Sequence, residues 1–312
     1  MLTVIVRRLL LAIPTMIALT ALLFFSLTAL LGSPAAMMLG QDASSEAVAA
    51  LNAKYGFDKQ LHVQYFDWMV SAMQGEFGRS HTTQQSVASA ILPGIPVTLE
   101  LALSAIVLAS LGAVISNTLP IGRGAGAPVV VTLNLIGITV PNFMLGISLI
   151  FVFSVWLGWL PTTGWVPWSA GLIPHIKHMI LPVLTLSAYY FGVFSIVYRA
   201  EYKDVEKRLF IQAARAKGLS RTRVAFRHAM PNAVLPVITF MGLAMGQLTG
   251  GAVVTETVFS MPGTGRLLVS SIASHDFPVM LAIGMMIVVG VVLMNLLADI
   301  AYTLVNPQIR ID

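Results

Sequence analysis

Long apolar runs separated by polar segments organise the whole chain. Six of them can cross the roughly 30 Å hydrocarbon core of a bilayer as helices. They cover residues 9–31, 97–119, 127–158, 179–198, 233–255 and 278–298. The third run is longer than a bilayer needs, so we expect tilt or a break near Pro141 to absorb the excess. The pattern predicts an all-α integral membrane protein, with residues 1–312 as a single transmembrane domain.

The first run also resembles a signal peptide, because it follows Arg7 and Arg8 directly. The apolar region of a signal peptide is usually about 7–15 residues long. Residues 9–31 contain no charge, and as a helix they would rise about 34 Å. Their length therefore favours a first transmembrane helix.

Two polar segments are longer than simple turns. In residues 32–96, Ser44-Ser45-Glu46 can begin a short helix, and Lys59 to Met73 carries apolar residues at near-helical spacing. We expect this segment to form a small helical cap. In residues 199–231, Leu209 to Lys217 favours one short helix and Ser220 can cap a second. Gly218 between them predicts a sharp bend, because glycine tolerates a positive φ.

The basic residues give the orientation. Only 10% of the residues are charged and the mean hydropathy is +0.84, whereas soluble domains carry roughly 25% charged residues. If the N-terminus is cytoplasmic, thirteen Lys and Arg residues lie inside, nine of them from Arg199 to Arg227, and five lie outside. The positive-inside rule then predicts cytoplasmic termini, an extracytoplasmic segment 32–96 and a cytoplasmic segment 199–231. The positive charge thus gives no reason to expect a nucleic-acid partner.

Motifs for bond chemistry are missing from the sequence. There is no phosphate-binding G-x4-G-K-[ST] loop and not even a Gly-Lys dipeptide, no H-E-x-x-H, no G-x-S-x-G and no cysteine. His175 and His178 are three residues apart beside Pro174, at a membrane edge, where we expect no metal site. The sequence predicts no catalytic, cofactor or metal-binding residue, and no capacity to hydrolyse ATP alone.

Three acidic residues fall within or beside the apolar runs, where an ionised group is costly and often functional. We expect Glu100 to reach the outer interface, Asp299 to reach the inner one, and Glu256 to hold the turn before Pro262. If one of them lines a pathway, Glu256 is the first candidate and Glu100 the second. The four tryptophans at the end of the third apolar run and just after it are typical of an outer aromatic belt; they are residues 156, 159, 165 and 168.

The segment after the fourth run resembles the EAA loop of ABC importer permeases, E-A-A-x3-G-x9-I-x-L-P. The resemblance rests on Gln212-Ala213-Ala214, Gly218 and Pro231, although Gln212 replaces Glu and His228-Ala-Met230-Pro231 replaces I-x-L-P. In that family the loop forms the coupling helix that docks on a cytosolic ATPase. It implies a coupling segment made of Gln212, Ala213, Ala214, Arg215, Ala216, Lys217, Gly218, Leu219, Ser220 and Pro231. On charge alone, a solvated or lipid-bound basic loop would be the alternative.

Other phrases are similar to the B-type permeases of dipeptide and oligopeptide importers, such as Gly75-Glu-Phe-Gly-Arg-Ser80 and Thr255-Glu-Thr-Val-Phe259, and Val305-Asn-Pro-Gln-Ile-Arg310 at the end. The resemblance implies a type I importer permease in the cytoplasmic membrane of a bacterium or archaeon. It also implies a second homologous permease, two ATPase subunits that bind ATP and Mg, and an extracytoplasmic solute-binding protein, besides the surrounding lipid.

The expected function is half of a translocation pathway for dipeptides or oligopeptides. The same branch of permeases also imports nickel chelates, glutathione, opines and oligosaccharides, so these substrates stay open. A different class, an ion-coupled secondary transporter working alone, would need intramembrane acids or a repeat to carry the ion. A membrane enzyme or sensor would need a catalytic cluster or a soluble domain.

Overall fold

The computed structural model describes residues 2–31, 44–119 and 126–305, together with residues 35 and 39. Within these residues the regular structure is helical, apart from one isolated bridge between Arg79 and Ser86. We number the α-helices in chain order: α1 Leu2–Leu31, α2 Ser45–Tyr55, α3 Leu61–Met73, α4 Val87–Ile91, α5 Gly94–Thr118, α6 Ala127–Thr139, α7 Asn142–Leu149, α8 Leu172–Lys207, α9 Leu209–Ala216, α10 Arg221–Val224, α11 Met230–Ala233, α12 Leu235–Val258, α13 Thr264–Ala273 and α14 Phe277–Val305.

The six predicted spans correspond to α1, α5, the pair α6–α7, α8, α12 and α14. Most of these helices extend beyond the predicted limits, and α8 has 36 residues, a length of about 54 Å. It therefore projects well beyond one membrane surface. Arg123 and the ending Asn306–Arg310, both used in the sequence argument, lie outside the described residues.

The third span is broken where the sequence predicted a break. Helices α6 and α7 meet at Val140 and Pro141, and the axis of Asn142–Trp156 differs from that of α6 by 117°. Proline 141 cannot donate the backbone hydrogen bond that would continue α6, and it forces Val140 into an extended conformation. A π-helical segment, Ile150–Trp156, then prolongs α7.

Contacts at its two ends show that this broken pair extends along the helical bundle. The segment after α7 bonds to the end of α12 through Gly164 N and Phe259 O at 2.7 Å, close to the start of α5. At the other end of the bundle, Thr118 at the end of α5 bonds to Tyr198 of α8 at 2.5 Å. Because α6 begins soon after Thr118, the pair runs from one end of the bundle to the other. Among the described residues, four helices are long and apolar enough to cross a membrane, or up to six if each bent pair is one span.

Small residues bring the broken span close to α8. A Cβ on Gly137 of α6 would overlap the backbone carbonyl of Ala188, and one on Gly192 of α8 would lie 2.7 Å from the backbone oxygen of Asn134. Close approach of this kind is how transmembrane helices associate without a hydrophobic driving force. Helix α8 also packs against α5 and α12, so it is the central element of the bundle.

The described residues of segment 32–96, which the sequence predicts to be extracytoplasmic, form the helices α2, α3 and α4. Ser44 caps α2 by accepting a hydrogen bond from Ala47 N at 3.2 Å, and α3 packs beside α1 through Tyr65 and Thr20, whose hydroxyls are 2.9 Å apart. The loop before α4 is fixed to the turn between α13 and α14, where buried Asp276 accepts hydrogen bonds from the Ser80 hydroxyl and from His81 N.

Candidate functional site

The cytoplasmic loop folds as two helical segments joined by a bend, as its sequence predicted. Helix α9 ends at Ala216, Gly218 takes a left-handed conformation with φ +79°, and Ser220 caps α10 by accepting from Arg223 N at 3.4 Å. A Cβ on Gly218 would meet nothing within 4 Å. Glycine is therefore favoured here by the backbone angle and not by lack of space.

The helix limits agree with the predicted short helix over Leu209 to Lys217 and the bend at Gly218. Helix α9 begins at Leu209 and ends at Ala216. The predicted coupling segment, residues 212–220, therefore combines the second half of α9 with the bend. The physical reason is the left-handed conformation of Gly218, which cannot be accommodated within an α-helix.

One face of α9 is exposed and holds small side chains next to a large apolar one. Leu209, Gln212, Ala213 and Ala216 follow the i, i+3, i+4, i+7 spacing of a single helix face, and all four are exposed. Leu209 is 81% exposed. Leu209 was not among the residues predicted from the sequence, although the same helical spacing places it beside Gln212 and Ala213.

The opposite face fixes α9 to the cytoplasmic end of α8. Ile211 and Ala214 are buried in the same apolar cluster as Tyr202 and Val205 of α8. An ion pair joins Arg215 to Glu206 at 3.0 Å. These contacts attach α9 to α8, which packs against the rest of the bundle.

Further ion pairs and a cavity surround this attachment. Arg208 and Glu201 form a pair at 3.2 Å, and Lys207 and Asp204 one at 2.9 Å. These pairs are exposed, so each contributes little by itself. A cavity of about 510 Å³ lies between α8 and the loop, beside Tyr202, Arg215 and Leu219.

Proline 231 lies where the loop returns to the membrane. It occupies the first turn of α11, and the preceding residues, Ala225–Ala229, form a π-helical turn. Because proline has no N–H and its ring clashes with the carbonyl four residues earlier, the wider π turn relieves the strain. The segment Arg221–Ala233 meets α12 at an angle of 45°, which directs the chain into the fifth span.

Glu256 is completely buried and holds together the outer ends of three helices. Its carboxylate accepts hydrogen bonds from the Thr98 hydroxyl of α5 at 2.6 Å and from Arg266 N in the first turn of α13 at 2.9 Å. Gly263 lies so close that a Cβ there would overlap the carboxyl group. A carboxylate at a helix N-terminus is favourable because the helix dipole and free N–H groups point toward it. The glutamate therefore holds the turn, as the sequence suggested.

Glu100 faces the outer surface but is paired. Its Oε1 lies 2.8 Å from Nε2 of His175, and its Oε2 lies 3.4 Å from Nε1 of Trp165. His175 is 2% exposed and stacks on Trp168 with ring centroids 3.8 Å apart. His175 and His178 are three residues apart in the sequence, but His178 contacts the Pro174 carbonyl at 2.8 Å.

The structure places the selected residues at two opposite surfaces. Residues 212–220 lie at one end of the bundle, and Glu100 and Glu256 lie at the other end, where Trp156, Trp159 and Trp168 are exposed. The side chain of Asp299 falls outside the described part of the chain. Asp276 was missed, and its position between two helices in a polar turn offered little signal. No group of three or more potential metal ligands occurs among the described residues.

Comparison with known proteins agrees with this arrangement over nearly the whole chain. Residues 105–311 match the family described as binding-protein-dependent transport system inner membrane component, and residues 1–102 match the N-terminal domain of such components. The glutathione transport system permease protein GsiC of Salmonella choleraesuis (strain SC-B67) is 38% identical over 312 residues, covering 99% of both chains. GsiC of Escherichia coli (strain K12) is 37% identical over 321 residues, again covering 99% of both.

Proposed function

Because the chain belongs to the family of binding-protein-dependent transport system inner membrane components, we propose that it forms half of a translocation pathway for small peptides. It is a non-catalytic, multi-pass permease of the bacterial inner membrane, and it works with a solute-binding protein and ATPase partners. Transport by such a system is not driven by an ion gradient alone, so this family membership argues against the alternative of an ion-coupled secondary transporter.

The proposed assembly contains a second permease of similar fold, two cytosolic ATPase subunits and one extracytoplasmic binding protein. ATP and Mg would be bound by the ATPase subunits. The coupling segment, Gln212 to Ser220 with Leu209 and Pro231, would dock on an ATPase. ATP binding and hydrolysis would displace α9 and, through the Arg215–Glu206 contact and buried Ile211, switch the spans between outward- and inward-facing states.

The observation that carries this proposal is the exposed face of α9. Ala213 and Ala216 let another surface approach the helix closely, and the neighbouring Leu209 side chain has 81% of its surface uncovered. A large apolar side chain beside two alanines, held on a helix that is fixed to α8, is a suitable anchor for a groove in a partner.

We propose small peptides as the substrate, including the tripeptide glutathione, since the similar GsiC proteins are named as glutathione transport permeases. Uptake of radiolabelled glutathione by cells that express the complete transporter tests this. Competition by unlabelled dipeptides, tripeptides, a nickel chelate and an oligosaccharide then ranks the classes. Competition by the chelate or the sugar alone would overturn the peptide assignment.

Docking on the ATPase is tested by adding bulk to the exposed face. In the purified complete complex, Ala213→Leu should lower binding-protein-stimulated ATPase activity about tenfold, the effect of about 1.4 kcal/mol of lost contact. Ala50→Leu, at an exposed position of the extracytoplasmic helix α2, is the matched control. Full stimulation and normal ATPase retention in Ala213→Leu would contradict a docking role for this face.

A proposed pathway role for Glu256 or Glu100 has less support. Glu256 has no exposed surface and its oxygens already accept hydrogen bonds, which suits a fixed clamp better than contact with a moving solute. Glu100 keeps partial exposure, so of the two it is the better candidate for contact with a small molecule.

A further inference from the structure

A groove of about 300 Å³ runs between α5 and α8 below Glu100. On α5 it is lined by Glu100, Ser104 and Leu108, which are spaced four residues apart and so lie on one strip of the helix. This strip extends about 12 Å along the axis. Ile176 and Leu184 line it from α8, and both, like Leu108, are more than a third exposed. The groove is thus a slot parallel to the spans, open along its side.

The groove is polar at its outer end and apolar below. The polar side chains there are Glu100, His175 and Ser104, and the remaining lining is mainly aliphatic. The amide groups of a peptide lying along the slot would lose their hydrogen bonds to water without replacement, which is costly. A hydrocarbon chain has no such groups. The shape and polarity therefore fit an amphiphile with one polar head and an apolar tail.

The outer end of the groove lies at the level of the membrane interface. Trp168 lines it and stacks on His175, and exposed tryptophans mark the depth of the lipid head groups. A molecule with its head beside Glu100 would direct its tail along Leu108 and Leu184 toward the middle of the bilayer. This is the orientation of a phospholipid in the outer leaflet.

The hydrogen-bonding groups at this end favour a head group that donates. Nδ1 of His175 lies 2.6 Å from the Val166 carbonyl and Nε2 lies 2.8 Å from Oε1 of Glu100, so neither ring nitrogen is left to bind a ligand. Oε2 of Glu100 meets Trp165 only at 3.4 Å, longer than a good hydrogen bond. No Lys or Arg lines the groove among the described residues. A carboxylate oxygen that can accept a further hydrogen bond, with no unengaged ring nitrogen beside it, suits an ammonium group and not a phosphate.

We propose that this groove binds a phospholipid of the outer leaflet whose head group ends in a primary ammonium. Oε2 of Glu100 accepts a hydrogen bond from the ammonium, and the aliphatic strip below packs against one acyl chain. A quaternary ammonium has no N–H to donate, and an uncharged glycerol head group offers no positive charge to the carboxylate. The groove therefore distinguishes lipids by their head group, independently of the transported solute.

Native mass spectrometry of the purified complete transporter tests the proposal. The complex is stripped of lipid and titrated with aminoethyl, choline and glycerol phospholipids that carry identical acyl chains. We expect the aminoethyl lipid to bind most tightly, and Glu100→Gln to weaken it about tenfold through loss of one charge-assisted hydrogen bond. Glu46→Gln, at an exposed site on the cap, should bind it as the unmodified protein does.

A second variant separates loss of binding from loss of folding. Leu108→Trp fills the lower groove at a partly exposed position and leaves the Glu100–His175 pair intact, so it should also reduce aminoethyl lipid binding. Equal binding of the three lipids, or unchanged binding in either groove variant, would overturn the proposal. So would displacement of the lipid by a dipeptide with a free amino terminus but not by its N-acetylated form, because that result would assign Glu100 to the solute.

Discussion

At the outer surface, the buried carboxylates of Glu256 and Asp276 accept hydrogen bonds from residues of nearby turns and helix ends. The pocket around Glu256 is closed by Gly263. We expect Gly263→Ala to destabilise the protein by about 1–3 kcal/mol, the usual cost of overpacking a buried site. Thermal unfolding in detergent measures it. Gly290→Ala, where a Cβ meets nothing within 4 Å, is the control. Equal melting temperatures for the two variants would show that close packing around Glu256 does not contribute to stability.

His81 should make the attachment of the cap sensitive to pH. Burial lowers the pKa of the His81 imidazole, and Asp276 nearby opposes this shift only in part. The unfolded chain takes up a proton near the ordinary pKa of about 6.5, but the folded protein resists it. Stability should therefore be unaffected by this group above that pH and should fall as the pH decreases below it.

The measurement is the melting temperature between about pH 7.5 and 5, a range that spans the ordinary pKa of histidine. His81→Gln removes the titrating group and should reduce the loss of stability on acidification. His62→Gln, at an exposed position on α3, should leave the loss of stability on acidification unchanged. An identical pH profile for the protein and its His81→Gln variant would rule out this contribution.

At the scale of elements, the crossing of α6 and α8 depends on the absence of side chains. Gly137→Ala would place a methyl group against the carbonyl of Ala188, so the helices must separate and lose the contacts that hold the broken span. We expect a marked loss of folded protein, measured by size-exclusion chromatography of a fluorescent fusion. Gly112→Ala is a graded comparison because its Cβ meets only the Phe191 ring, at 3.2 Å, and a ring can shift. A Gly137→Ala variant that gives as large a peak of folded protein as Gly112→Ala would contradict the prediction.

The bend between α9 and α10 depends on a backbone angle. Gly218 has φ +79° with free space around it, so Gly218→Asn should be tolerated because asparagine visits this region, and Gly218→Val should not. In the complete complex we expect Gly218→Val to lower binding-protein-stimulated ATPase and transport while the spans remain folded. Equal activity of the Asn and Val variants would show that the bend does not matter for coupling.

At the scale of the whole molecule, the chain should cross the membrane six times with both termini in the cytoplasm. The sequence has no cysteine, so single introduced cysteines can be labelled without background. A membrane-impermeant maleimide should label Glu46→Cys and Thr163→Cys in intact cells, but Lys203→Cys only after permeabilisation. Thr163 is decisive because it follows the broken span. Labelling of Thr163→Cys only after permeabilisation would make α6–α7 a re-entrant loop.

The sequence by itself determined the membrane class, the apolar runs that become long helices, the helical cap, and the bend at Gly218. Each of these follows from local signals: a run of apolar residues, an asymmetry of basic residues, or a cap and a glycine at fixed spacing. A break at Pro141 was also predictable, because proline lacks the donor that continues a helix. These features depend on residues near each other in the chain.

Only the tertiary structure decided how distant residues meet. It joined Glu256 to Thr98, Glu100 to His175, and Ser80 to Asp276. It also showed that Leu209 is left uncovered on α9. The partner of a charged residue cannot be identified from the sequence, because burial and pairing depend on how the helices pack, and local helix propensity does not determine that packing. The sequence could therefore identify the acids at the outer surface but not separate a structural clamp from a carboxylate with a free acceptor.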